Sequence, residues 1–263
     1  MRLSVNGHEV YAYTGGKTFS KALPTVVFIH GAQYDHSVWI LQSRYLAHHG
    51  YGVLALDLPG HGKSAGDALA SVEQLAAWVM TVLDAAGVAK AVFIGHSMGS
   101  LVALECAGAH PQRVAKLALI GAANPMRVSD ELLNATRDDE TLAQQMVNIW
   151  SHSTYSAKPS SPGPGFSTFG GNLRLMQRIK PGVMHIDFIA CNAYAGGEAR
   201  AAQVKCPTLL VLGDSDMMAH PKGARGLQAA IPGQRTVLVK SSGHALMAEQ
   251  PDAVLDALKA FLA

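Results

Sequence analysis

The stretch that most restricts this chain is Val92-Phe93-Ile94-Gly95-His96-Ser97-Met98-Gly99-Ser100-Leu101-Val102-Ala103-Leu104. A short apolar run ends at Gly95 and a helical apolar run starts after Gly99, so five residues must form a sharp strand-to-helix turn. This is G-x-S-x-G in its structural setting. A serine on such a strained turn projects its Oγ above the sheet, and glycines two before and two after leave room for the neighbouring elements. The following helix aims its partial positive charge and free N–H groups at the same spot. Five residues with two free positions also occur in ordinary loops. A plain helix N-cap would explain a serine at position 97, though not the flanking glycines.

The surrounding chain supplies the setting. Leu3–Val5 and Val10–Tyr13 alternate around Asn6-Gly7, a hairpin signal. Pro24–Ile29 is a continuous apolar run of the kind buried on both faces of a sheet, and it ends at His30-Gly31-Ala32. Ser37 to His49 is helical and closed by Gly50. Gly52–Leu56 is a second buried strand, ending in Asp57-Leu58-Pro59-Gly60-His61-Gly62-Lys63-Ser64. Ser71 caps a helix to about Ala86, with Leu75, Val79 and Leu83 on one face. Ala91–Ile94, Ser97–Ala109 and Leu117–Ile120 continue the strand–helix–strand rhythm, which resumes with Thr208–Leu212, Lys222–Ala230, Arg235–Val239 and Ala253–Leu262. Strands alternating with helices of ten or more residues predict an α/β fold with a mainly parallel central sheet flanked by helices. Ligands of such sheets bind beyond the carboxyl ends of the strands.

From Asn124 to Val204 the rhythm breaks. Asp130–Trp150 and Asn172–Ile179 are helical, but Ser160-Ser161-Pro162-Gly163-Pro164-Gly165-Phe166 cannot be regular structure. Trp150, Tyr155, Phe166, Phe169, Phe188 and Tyr194 make this stretch too aromatic for a linker, so it is expected to be a mostly helical cap inserted after the sixth strand. The expected organisation is a core of residues 1–123 and 205–263 with a cap of residues 124–204. Pro162–Gly165 is its expected mobile part.

Composition narrows the partners. With 263 residues, a formal charge of +2 and 15% charged residues, the chain has no electrostatic footprint for nucleic acid, and a small-molecule substrate is expected. No apolar run approaches the roughly 20 residues of a membrane span, and no signal segment precedes Arg2, so a soluble cytoplasmic protein is expected. Cys106, Cys191 and Cys206 are odd in number and widely spaced, as expected of buried hydrophobes rather than disulfides. No metal-ligand spacing occurs. Gly62-Lys63-Ser64 resembles the tail of a phosphate-binding loop, but the required earlier glycine falls at Asp57. No metal or other cofactor is expected. Oligomeric state is not encoded in any pattern.

A serine hydroxyl needs a base within hydrogen-bond reach, and the base needs an acid to orient it. Two later strand ends offer both: Gly213-Asp214-Ser215-Asp216 after Leu209–Leu212, and Ser241-Ser242-Gly243-His244 after Val237–Lys240. The chain order is Ser, Asp, His. Together with His30-Gly31-Ala32, the Asp57–Ser64 segment and Gly243-His244 followed by Glu249-Gln250-Pro251, these motifs resemble the α/β-hydrolase fold family over nearly the whole chain outside the cap. The resemblance implies Ser97 as nucleophile, Asp216 as acid, His244 as base, and the N–H groups of Ala32 and Met98 as oxyanion hole. It selects Asp216 over Asp214, which is expected to brace the turn.

The expected activity is hydrolysis of a carboxylic ester, thioester or activated amide. Aspartate-elbow relatives, the haloalkane dehalogenases and epoxide hydrolases, are excluded by Ser97. Hydroxynitrile lyases are disfavoured by Ala245 where they carry lysine. Non-hydrolytic relatives with the same triad, such as cofactor-free dioxygenases, carbon–carbon lyases and perhydrolases, stay open as alternatives, as does a ligand receptor. His30, Tyr34, Trp150, Phe166, Asn192 and Tyr194 are candidate pocket residues, with Phe169 and Asp187 as further possibilities. His30 and His96 are read as turn and shell residues rather than a second base.

Overall fold

A computed structural model describes residues 1–154 and 167–263 of the chain. Eight strands form one sheet: β1 (Arg2–Val5), β2 (His8–Tyr13), β3 (Thr25–Ile29), β4 (Gly52–Leu56), β5 (Ala91–His96), β6 (Val114–Ile120), β7 (Thr208–Gly213) and β8 (Arg235–Val239). Their order is β1-β2-β4-β3-β5-β6-β7-β8. β1 and β2 pair antiparallel, as do β2 and β4, and every later pairing is parallel. The strand order reverses direction at β3, and the crevice at such a switch point lies beyond the ends of β3 and β5.

The helices are α1 (Ile40–His48), α2 (Val72–Ala85), α3 (Met98–Ala109), α4 (Asp130–Asp138), α5 (Glu140–Ser151), α6 (Thr168–Met176), α7 (Val183–Ala193), α8 (Gly197–Gln203), α9 (Arg225–Ala230), α10 (Leu246–Glu249) and α11 (Pro251–Leu262). Alternation along the strands decides which of them covers which face. Val27, Ile29, Leu54, Leu56, Phe93, Leu117, Leu119, Leu210 and Leu212 join α2, α3 and α8 in one core. Val26, Phe28, Val53, Ala55, Ile94, Ala118, Ile120, Leu209 and Val211 join α1 and α11 in the other. Both faces of the central strands are therefore dry, which explains their unbroken apolar runs. Among the described residues no helix is long and apolar enough to cross a membrane.

α4 to α8 lie between β6 and β7. The continuous helix expected over Asp130–Trp150 is two helices. Asp139 leaves helical geometry at φ −149° and its carboxylate accepts from Leu142 N–H, so it ends α4 and caps α5. Likewise α6 starts at Thr168, capped by Ser167 Oγ on Gly170 N–H, earlier than the expected Asn172. Tyr155, Phe166 and the Pro162–Gly165 stretch lie outside the described residues.

Asp57, at the end of β4, is fully buried and holds the loops after β3 and β4 together. Its Oδ1 accepts from His36 N–H at 2.8 Å and is 2.7 Å from His36 Nδ1, while Oδ2 accepts from Lys63 N–H at 2.8 Å. Ser64 Oγ donates to the Asp57 carbonyl and accepts from Tyr11 N–H. The segment is thus a structural knot, and Lys63 extends outward with its Nζ 4.7 Å from the Tyr11 ring centroid. Asp57→Ala would strand these N–H groups without acceptors, at a cost of about 2–4 kcal/mol. The expected outcome in urea is a lower unfolding midpoint with an unchanged slope, and a midpoint equal to that of the wild type would refute the assignment.

Candidate active site

The turn after β5 is as tight as its sequence demands. Ser97 sits at φ 52°, ψ −120°, a backbone state that L-residues adopt at a cost of about 1–3 kcal/mol. A Cβ on Gly95 would overlap the Gly99 carbonyl, and one on Gly99 would overlap the carbonyls of Ile29 and His30. Only glycine lets α3 start directly against β3 and β5. The ladder extends into the turn through Ser97 N–H to Ile120 O at 3.0 Å. Ser100 then fixes the Ser97 carbonyl with its N–H at 2.8 Å and its Oγ at 2.6 Å.

Ser97 occupies the N-cap position of α3, but its side chain makes no cap hydrogen bond. An ordinary capping serine has extended geometry and uses its Oγ on the next turn. Here the first N–H groups of α3 have no helical partner, and the hydroxyl stays available.

His244 and Asp216 come from the loops after β8 and β7. His244 Nδ1 is 2.7 Å from Asp216 Oδ2, while Asp216 Oδ1 accepts from Met218 N–H at 2.8 Å and Ala219 N–H at 2.7 Å. Both residues are buried. Burial pushes the Asp216 carboxyl up, but the His244 charge and hydrogen bond, with the two N–H donors, outweigh it and hold the pKa below its ordinary value. Asp214 faces away: its Oδ1 accepts from Ser215 Oγ and Ser242 N–H, bracing the two loops. Gly121, at φ 56°, lies beneath the ring, where an added Cβ would come within 3.2 Å of His244 Cε1 and Nδ1.

Glu249 secures the His244 loop from outside. Its carboxylate accepts from Gly243 N–H at 2.6 Å and from Ser153 N–H and Oγ at 2.8 Å each. The histidine loop is thereby tied to the end of α5. This gives the Glu249-Gln250-Pro251 motif a structural task.

Two further histidines lie at the site, both buried and neutral. His30 Nδ1 donates to Gly31 O and its Nε2 accepts from Leu58 N–H, and burial lowers its pKa to about 4. His96 Nε2 donates to the His244 carbonyl at 2.9 Å, and burial lowers its pKa to about 3. Each positions backbone.

Ser97, His244 and Ala32 line one cavity of about 400 Å³. Its remaining wall is largely apolar, with Met126, Leu132, Trp150, Phe188, Cys191 and Met218 among the contributors, while Arg127 and Glu131 stand at exposed positions on it. Of the pocket residues expected from sequence, Trp150 lines this cavity. His30 and Tyr34 are buried and do not line it, Asn192 Oδ1 instead accepts from Val128 N–H, and Tyr194 OH donates to Glu105. Phe169 lies against the His152 ring, and Phe166 falls outside the described residues. Asp187 is buried against His61. Met217 and Met218, which also line the cavity, could have been read from their place directly after Asp216 at the carboxyl end of β7. Met126 and Phe188 carry no such positional signal.

Asp35, His36 and Asp57 bring potential metal-ligand atoms within 4.8 Å of one another. Their carboxylate oxygens are already engaged: Asp35 accepts from Ser37 and from Arg178, and Asp57 from His36 and Lys63. The donor set fits loop bracing rather than a cation.

A family profile for the alpha/beta hydrolase fold matches residues 24–251. A relative from Klebsiella pneumoniae, named as a candidate carbamate hydrolase, RutD, is 27% identical over 236 residues, covering 84% of this chain and 85% of its own. The enol-lactonase from Burkholderia xenovorans LB400 superposes with a TM-score of 0.87 at 25% identity, over 100% of this chain and 99% of that one. An enzyme degrading N-acyl homoserine lactones gives a TM-score of 0.84 at 22% identity over 99% and 100% of the two chains, a likeness of fold alone. With the profile running from the start of β3 to the start of α11 across the sheet just described, the chain belongs to the α/β-hydrolase family.

Proposed function

We propose that this chain is a serine hydrolase that transfers the acyl group of a small carboxylic ester, or a thioester or activated amide, to water. One observation carries the reading: Ser97, strained and with its hydroxyl unspent on capping, shares a cavity with a histidine whose far nitrogen is engaged by a buried carboxylate. The names of the relatives, a candidate carbamate hydrolase and an enol-lactonase, both describe acyl transfer to water and support it.

In this reading His244 Nε2 takes the Ser97 proton as Oγ attacks the substrate carbonyl. Asp216 keeps Nδ1 protonated, so Nε2 presents its lone pair, and it stabilises the imidazolium that forms. The N–H groups of Ala32 and Met98 hold the tetrahedral oxyanion, each donor contributing about 3–4 kcal/mol in comparable sites. His244 then returns the proton to the leaving group and activates water against the acyl-enzyme. The α4–α8 segment, with residues 124–204 as its span, acts as the cap: Leu132, Trp150 and Phe188 form the wall facing the nucleophile and set the shape of the acyl or alcohol group. A cavity of about 400 Å³ lies at the small end of ligand sites, which favours small substrates.

Ser97→Ala is expected to lower ester turnover by about three or more orders of magnitude and leave the melting temperature within a few degrees. A fluorophosphonate should label the wild type on Ser97 by mass spectrometry. An adduct elsewhere, or a fully active alanine variant, would overturn the nucleophile assignment.

Asp216→Asn preserves the shape but disfavours the productive imidazole tautomer, and a loss approaching about 10⁴ in turnover is expected by analogy with serine proteases. Asp214→Asn should cost far less, mainly in stability, because among the described residues its carboxylate accepts from Ser215 and Ser242. Steady-state kinetics of the two variants side by side decide the matter. If Asp214→Asn were the crippled enzyme, the acid would be misassigned.

A further inference from the structure

The loop carrying the Ala32 N–H is not held by the sheet alone. Gln33, the next residue, has φ 54° without being glycine, and its N–H donates to Asp187 Oδ2 at 2.8 Å. Asp187 belongs to α7, 154 residues further along the chain. The same oxygen is 2.8 Å from His61 Nε2, and both side chains are 1% exposed. His61 Nδ1 lies 2.9 Å from the Pro59 carbonyl oxygen, which can only accept. Each ring nitrogen thus faces an acceptor, so the arrangement is satisfied by an imidazolium that donates from both sides.

The surroundings agree. Burial lowers the His61 pKa, but the Asp187 charge and hydrogen bond, the Pro59 carbonyl and the Asp57 carboxylate outweigh it, and the net shift is upward. The His30 ring, with its centroid 4.8 Å from that of His61, is kept neutral by burial, and its Nε2 accepts from Leu58 N–H. A buried ion pair is weak as a source of net stability, since desolvation offsets its attraction. What it does supply is a fixed position for one carboxylate oxygen under a strained peptide.

We propose that Asp187, oriented by His61, is a positioning residue that sets the oxyanion hole: by holding Gln33 N–H from α7, it fixes the aim of the neighbouring Ala32 N–H. This rests on the serine-hydrolase reading above. It makes seating of α7 and stabilisation of the oxyanion one event. Misplacing a donor by about 1 Å can cost about 100-fold in rate, so the effect falls on kcat rather than on ground-state binding.

The sign with pH follows from the upward shift. The His61 clamp is complete below the ordinary histidine pKa and is lost as pH rises through the raised value in the folded protein. Asp187→Asn keeps an oxygen that can accept both N–H groups but removes the charge that keeps His61 protonated. The loss then occurs at lower pH.

The test uses the full chain with a neutral ester and a trifluoromethyl ketone analogue of the tetrahedral intermediate. Asp187→Ala should lower kcat by about 10- to 100-fold with KM changed less than about 3-fold, and analogue affinity should fall in step with kcat. Asp187→Asn should recover most of that loss at the acidic end, with the alkaline limb of kcat moved down by about one pH unit or more. Wild-type kcat and pH profile in both variants would overturn the proposal, as would a loss of activity that leaves analogue affinity intact. Ser97→Ala, run alongside, separates the two readings. If it is inactive while the Asp187 variants are unaffected, this proposal alone fails; if it stays active, the hydrolase reading fails and carries this proposal with it.

Discussion

The first turn of α3 rests against the backbone at the ends of β3 and β5 with no side chain between them, and the geometry of the site depends on that contact. It sets Ser97 at the edge of the sheet and leaves the first N–H groups of α3 pointing at the same space. It also brings the loop after β3 within reach of Ser97. Parallel strands contribute the other parts, because a parallel sheet places the ends of β3, β5, β7 and β8 on one edge. Residues separated by more than a hundred positions thus meet without long loops.

Around this edge the protein uses buried or partly buried carboxylates as junctions between segments. Asp57 collects the loops after β3 and β4, Glu249 joins the His244 loop to the end of α5, and Glu105 on α3 receives Tyr194 OH and Arg200 from the segment around α8. Each accepts from two or more donors, which offsets the desolvation of its charge. A carboxylate with several N–H partners fixes backbone direction in a way that apolar packing does not. The α4–α8 segment is therefore tied to the sheet at defined points along its length.

Much of this was legible in the residues. The unbroken apolar strands, the Asn6-Gly7 hairpin and the glycines around Ser97 report local backbone requirements, and such requirements are written locally. The sequence also places Asp214, Asp216 and His244 at strand ends, but choosing between the aspartates needed a family pattern, since either could leave the same turn. The break at Asp139 is not legible in the sequence, because the apolar periodicity runs through it without interruption and a side-chain cap outweighs that pattern. His61 with Asp187 could not be read at all: 126 residues separate them, and nothing near either names the other. Tyr194 illustrates the same limit, since its aromatic body suits a pocket while its hydroxyl is committed to Glu105.

Cys191 lies on the cavity wall with Ser97, so two groups of nucleophilic type face the same space. By intrinsic reactivity sulfur would take an electrophile first, provided it were ionised. Burial and the nearby Asp187 carboxylate raise the Cys191 pKa far above its ordinary value, which keeps the thiol protonated. In the serine-hydrolase reading proposed above, burial first and the Asp187 carboxylate second keep this sulfur out of the chemistry, and the Ser97 hydroxyl is left as the nucleophile of the chamber.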